Sequence, residues 1–212
     1  MSETVSGEEL EKINGYAREP LMEDKVFVFR VALCDNDIDR DGEKFSSGAL
    51  EKLAELLRAE RVFSTMTLKA QSRLPEYSTL GWKLCLKTTA DGEVYRRIMA
   101  KAYMVRTASN GDLISEIQGG IKKEVSVSCT MGKKLCSVCG ADMYKGGCDH
   151  EKGGEYGGKL CYHILDEPLD AYEWSFVAVP AQVNAGVTKR FALRENRKAP
   201  TRAMSLPCEG SF

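Results

Sequence analysis

Four of the chain's eight cysteines and both of its histidines fall between positions 136 and 163. The run opens with Cys136-Ser-Val-Cys139-Gly140, a turn that aims two thiolates at one ion while Gly140 accommodates the tight backbone. Cys148 and His150 follow and offer a third thiolate and an imidazole. That donor set is the set of a tetrahedral Cys₃His zinc site. Cys161-x-His163 repeats the Cys-x-His pattern, so Cys161 or His163 stands as an alternative to His150 or as an added ligand. The stretch is rich in glycine and nearly free of large apolar side chains, so it has no core of its own and a metal would have to order it. Four protein ligands leave no open position for water, which makes the site structural. A nucleic-acid-binding ribbon is disfavoured, because "GGCDHEKGGEYGGK" has little aromatic or basic interleaving.

Two other groups carry side chains of chemical interest. In "KKEVSVSCT", Val125, Val127 and Cys129 share one face of a strand, and Ser126, Ser128 and Thr130 share the other. In "AYEWSFVAVPA", Glu173 and Ser175 likewise share a face, and a glutamate inside an apolar strand needs a partner or solvent. Asp37, Asp39, Asp41 and Gly42 imitate the start of a calcium loop, but the bidentate glutamate position is Gly48 and no helix precedes it. A strand-to-helix turn with carboxylates capping backbone N–H groups is the better reading.

The elements that must position these groups read as follows. "KVFVFRVAL" alternates and predicts a strand. "SSGALEKLAELLRAE" places Leu50, Leu53, Ala54 and Leu57 on one helical face, with Ser46 or Ser47 as N-cap. "GWKLCLKTT" and "VYRRIMAKAYMV" predict two strands around an Asp91–Gly92 turn. "SNGDLISEIQGG" predicts a short helix capped by Ser109 or Asn110 and stopped at Gly119–Gly120. Strands predominate and helices flank them, so the fold class is α+β with a mostly antiparallel, barrel-like sheet.

The 212 residues suit one domain with a small inserted module. The folded part spans 25–189, with the cysteine-rich insertion at about 132–163. Residues 1–24 hold seven acids and two bases, and residues 189–202 hold six bases and one acid. Both ends lack sustained apolar periodicity and read as flexible tails, acidic at 1–24 and basic at 190–212. The formal net charge of −1 disfavours a generally basic nucleic-acid binder. No apolar run approaches the roughly 18 residues of a membrane span, and the acidic N-terminus lacks an export pattern, so the expected location is intracellular. On that ground metal binding outweighs disulfides for the cluster, and Cys34, Cys85, Cys129 and Cys208 read as buried or tail thiols.

The early strand, "DNDIDRDGEKFSSGALEKL", "AKAYMVRT", "GIKKEVSVSC" and "YEWSFVAVPAQVNAGV" together resemble the prohead maturation serine proteases of tailed bacteriophages, which share a fold with herpesvirus assemblin. The resemblance runs from about Lys25 to Lys189 and is most specific in the last two segments. It implies a nucleophile at Ser126, with Ser128 at a position usually held by glycine, and a histidine-orienting carboxylate at Glu173. The cysteine cluster falls where some phage members carry an insertion. The implied reaction is peptide hydrolysis by acyl transfer: the serine hydroxyl attacks, histidine takes its proton, and the carboxylate fixes the imidazole tautomer. The family histidine should follow the first helix, and in that register Thr65 occupies its place. A threonine hydroxyl is no base near neutral pH. The chain is then a crippled homologue, or another group such as His163, Lys122 or Lys123 substitutes. The implied partners are the major capsid protein and the scaffold or delta segment, with the chain itself as a further substrate, inside the prohead assembling in the host cytoplasm. A non-catalytic capsid-assembly factor of the same fold is the alternative.

Overall fold

The computed structural model describes residues 5–59, 81–82 and 88–188. Thr65, Cys85, Cys208 and the basic segment 190–212 lie outside the described residues.

The alternation of "KVFVFRVAL" does what its period requires. Strand β1, Val26–Asp35, points Phe27, Phe29, Val31 and Leu33 into the main core and Val26 and Val28 to the opposite side. Strand β4, Arg97–Val105, pairs with it antiparallel from Val26↔Val105 to Asp35↔Arg97. The two-residue strands β3 (Gly81–Trp82) and β9 (Gly186–Val187) flank this pair, giving the order β3-β4-β1-β9.

A second sheet has the order β2-β8-β5. Here β2 is Glu43–Phe45, β5 is Val125–Cys136 and β8 is His163–Phe176. The β5–β8 ladder is antiparallel and β2 lies parallel to β8. A bridge between Glu124 and Gly186 joins the two sheets through β9. The fold is α+β as expected, but among the described residues neither of these two sheets closes, so the expected barrel-like arrangement is corrected to open sheets, the first antiparallel and the second mixed. The sequence supplies alternation along single strands; closure depends on register between distant strands, which alternation does not encode.

Helix α2, Ser47–Ala59, fills the space between the sheets with Leu50, Leu53, Ala54 and Leu57, all buried. Of the two serines offered as its cap, Ser46 does the capping: its Oγ accepts from the Ala49 N–H at 2.9 Å. Helix α3, Gly111–Gln118, starts after Asn110, whose side chain accepts from Thr107 N–H and donates to the Val105 carbonyl rather than capping the helix. Trp174, fully buried, meets Phe29 and Phe176 edge-on and joins β8 to β1.

The N-terminal segment departs from the expectation of a flexible tail. Residues Gly7–Asn14 form helix α1, closed by a reciprocal capping box between Ser6 and Glu9. Its Ile13, with Val5 ahead of it, packs on Val26, Val28 and Tyr103, and Glu9 pairs with Lys101. The acidic surplus hides a narrow apolar strip, and the second face of β1 supplies what that strip covers.

One charged residue is embedded in this frame. Lys44 of β2 is 1% exposed, and its Nζ meets Asp91 at 2.5 Å and Glu93 at 3.3 Å. Asp91 sits in the turn that Gly92 permits with φ +87°. It also accepts from Thr89 Oγ1 at 2.6 Å and Tyr162 Oη at 2.7 Å. Burial alone would raise the Asp91 carboxyl, but the Lys44 ammonium and the two hydroxyls outweigh it and hold it down to about 2. A carboxylate depressed in the folded state adds stability above its unfolded value near 4, and that stability disappears as the pH falls toward 2. Urea unfolding between pH 5 and pH 2 should therefore show a falling midpoint, and Asp91→Asn should flatten that slope while lowering the midpoint at pH 7.

Candidate functional site

The β5–β8 ladder carries chemistry at both ends. At one end Cys136 pairs with His163, and the chain leaves the ladder between them, over residues 137–162. The excursion is therefore shorter than the sequence indicates, since Gly132–Cys136 belong to β5. Inside it, Gly140 takes φ +75° and its N–H donates to the Cys136 carbonyl at 2.8 Å, closing the expected CxxC turn. A short 3₁₀ turn, Met143–Lys145, and the hairpin β6 (Glu155–Tyr156) with β7 (Lys159–Leu160) return the chain to Cys161. The hairpin turns on Gly157 and Gly158, both at positive φ.

This folding brings the ligand atoms of Cys136, Cys139, Cys148 and His150 within 4.8 Å of one another. The Cys136 Sγ lies 3.8 Å from His150 Nδ1, close to the edge length of a tetrahedron built on metal–ligand bonds of about 2.0–2.3 Å. The His150 ring rests on Tyr156 at 4.4 Å, which fixes its plane. Burial would raise the Cys136 thiol, but backbone N–H groups of Cys139 and Val138, with side-chain hydrogen bonds from Cys148 and Cys139, bring it down to about 6. The His150 N–H favours a thiolate at Cys148 too, yet burial and the neighbouring Cys139 and Cys136 sulfurs push Cys148 up to about 11. A cation among these sulfurs would supply the charge that lets neighbouring thiols ionise together. The four donors thus fit a metal ion, through the residues the spacing picked.

The two alternates separate. Cys161 is buried and its Sγ lies 3.9 Å from that of Cys136, against the cluster. His163 turns away from it. Its ring is buried beside Glu43, with Nδ1 4.0 Å from a carboxylate oxygen, and burial with nearby Lys152 and Lys134 pushes its pKa down against the pull of Glu43.

At the other end of the ladder, Ser126 pairs with Ser175 and Ser128 with Glu173. Directly opposed residues share a face, so Ser126 and Glu173 are diagonal neighbours on one side of adjacent strands. Val127 and Cys129 pack toward the core from the other side, as their alternation requires. Ser126, Ser128 and Thr130 line a cavity of about 700 Å³ together with Asp39, Glu43, Tyr144 and Tyr172. Neither histidine is near. His150 belongs to the cysteine cluster and His163 opposes Cys136, ten residues along β5 from Ser126, or on the order of 30 Å at strand rise. Lys122 and Lys123 precede the strand, and Lys123 Nζ meets Glu124 at 3.6 Å. Of the scattered thiols, Cys34 is buried and Cys129 half-buried, and burial pushes both up, Cys129 to about 11.

The aspartate-rich loop behaves as a capped turn. Asp39 Oδ1 accepts the N–H groups of Asp41 and Glu43, at 2.9 and 2.8 Å, and Asp37 Oδ1 accepts those of Ile38 and Ala90. What sequence reasoning missed is the clip that binds the cysteine module to this loop. Lys152 Nζ donates to the Asp41 carbonyl at 2.7 Å and lies 3.3 Å from Glu43, which also pairs with Lys134 at 2.8 Å. Only the isolated lysine between two glycine pairs signals it.

Comparison with known proteins gives no match to a family model, to a curated protein or to a solved structure.

Metal analysis of the purified chain by plasma mass spectrometry should find one equivalent of a bound transition-metal ion, absent from a Cys136→Ser, Cys139→Ser double variant. Chelation should lower the unfolding temperature of the wild type and leave that variant unchanged. A metal-free wild type that unfolds at the same temperature with and without chelator would remove the site.

Proposed function

We propose that the chain is a capsid-assembly protein of the prohead-protease type, which binds the major capsid protein and scaffold segment and does not cut them. The sequence resemblance supports the family. The observation that carries the chemistry is the placement of Ser126 on the cavity wall, with Glu173 diagonal to it, His150 in the cysteine cluster and His163 opposite Cys136 at the other end of the ladder. A serine hydroxyl is a weak nucleophile without an adjacent base. Losing one member of a triad leaves only about 10³–10⁴-fold catalysis over water. Binding then remains the function that the cavity can still perform, within the prohead as it assembles in the host cytoplasm.

The metal in this reading is zinc. Three sulfurs and one imidazole form a soft, tetrahedral donor set, and zinc fills such sets as a structural ion. It would hold the 137–162 excursion in place rather than take part in any reaction.

Co-expression with the cognate capsid protein, followed by affinity purification and intact mass spectrometry, tests the reading. Capsid protein should co-purify at its full mass with both wild type and Ser126→Ala. Truncated capsid protein with wild type alone would establish a peptidase instead. Failure of the capsid protein to co-purify would dismiss the capsid assignment.

A further inference from the structure

β5 is an edge strand. Its one ladder partner is β8, and among the described residues its other side is bridged only at its ends, by Gly186 next to Glu124 and by Asp142 at Leu135. Between those bridges the edge is open among the described residues. The Lys123 carbonyl faces away from β8 and accepts the Val187 N–H at 2.7 Å, whereas the Glu124 carbonyl accepts Val177 from the β8 side. By this alternation the amide of Val127 faces the open side. The cavity confirms the geometry of an edge, since consecutive residues of β5 from Val125 to Met131, from both faces, line it.

The opposite wall is acidic. Asp39, Asp41 and Glu43 line it beside Lys134, Gln182 and Ala185, and Tyr144 and Tyr172, each about half exposed, line it too. Lys134 and Lys152 both direct their charge to Glu43. Asp39 and Asp41 form no ion pair among the described residues; Asp39 accepts backbone N–H groups on one oxygen. Half-burial pushes the Asp39 carboxyl up against those two N–H groups, so a cation reaching it would be favoured.

We propose that the open edge of β5 around Ser126–Thr130 docks an extended, lysine- or arginine-bearing segment of a partner protein as an added strand. Main-chain hydrogen bonds to β5 supply the affinity, and Asp39 and Asp41 select the basic side chains that alternate toward them. This deepens the capsid-partner reading, on which it rests, by naming the kind of segment the partner offers. Unpaired N–H and C=O groups along an edge are a ready template for such pairing.

The test is fluorescence anisotropy with the full, metal-loaded chain. The probe is a fluorescein-labelled peptide of alternating lysine and threonine. Comparison peptides replace lysine by glutamate, or carry N-methyl groups on alternate amides. The lysine peptide should bind and the glutamate peptide should not. The N-methylated peptide keeps its charge but loses its strand donors, and it should fail to bind. Asp39→Asn with Asp41→Asn retains the oxygen acceptors of the turn and should weaken the lysine peptide roughly five- to tenfold. Equal binding of the N-methylated peptide, or no binding of the lysine peptide, overturns strand addition. Binding that appears only when Lys189, Arg190, Arg194, Arg197 and Lys198 are changed to serine would give the groove to the chain's own basic segment and overturn the partner. No capsid protein enters this assay. Loss of peptide binding while capsid protein still co-purifies removes the groove alone, and the converse removes the capsid reading alone.

Discussion

The antiparallel pairing of β5 with β8 is the constraint on which the rest of the molecule depends. It runs from Val125↔Phe176 to Cys136↔His163, and each end has a different chemistry. Because pairing alternates side chains between faces, one register decides both that Val125 and Trp174 enter the core and that Ser126, Ser128 and Glu173 do not. The same register delivers Cys136 to the start of the cysteine module. The ladder is not straight. Register shifts fall at Ser128/Cys129 and Thr130/Met131, and Glu167 on β8 takes φ +50°. Opposite this irregularity a Cβ at Gly132 would lie 3.0 Å from the Glu167 carbonyl oxygen, a close approach that favours glycine there.

The edge of β2 does a second job, that of compensating charge. Glu43 and Lys44 are adjacent, so as strand neighbours they point to opposite faces, and each collects opposite charge on its own side. Lys44 ties the Asp91 turn to the sheet, and Tyr162 ties that turn to the foot of the cysteine module. Glu43 ties β5, through Lys134, to the module's Lys152. Removing one member of the buried Lys44 pair would leave a stranded charge, a loss on the order of 3–5 kcal/mol, so the network is costly to break even where its net contribution is small.

The parts legible in the sequence are those set by local periodicity and ligand spacing. The faces of α2 and β1, the hydroxyl face of β5 and the Cys136–Cys139–Cys148–His150 group all follow from spacing over a few residues. Three features did not. Sheet closure depends on pairing between strands far apart in the chain. Helix α1 was obscured because its apolar strip is only Val5, Leu10 and Ile13 within an acidic segment, and the surface it covers lies on β1. The split between Cys161 and His163 was unreadable because β8 begins only at His163: Cys161, ahead of the strand, lies against Cys136, while His163 sits beside Glu43.

The distance between the two ends of the ladder is itself an argument about chemistry. General-base catalysis needs an imidazole within about 3 Å of the hydroxyl or one water away. His163 opposes Cys136, ten residues along β5 from Ser126, so the ladder itself does not bring that imidazole to the serine. The cysteine module instead acts on the cavity through its wall. Lys152 and Tyr144 belong to the excursion, and they hold or line the Asp39–Glu43 side opposite β5. A segment with few large apolar side chains keeps such positions only if something other than a core orders it. An ion held by the cysteine cluster would therefore act on the cavity only indirectly, by fixing the excursion that carries Lys152 and Tyr144.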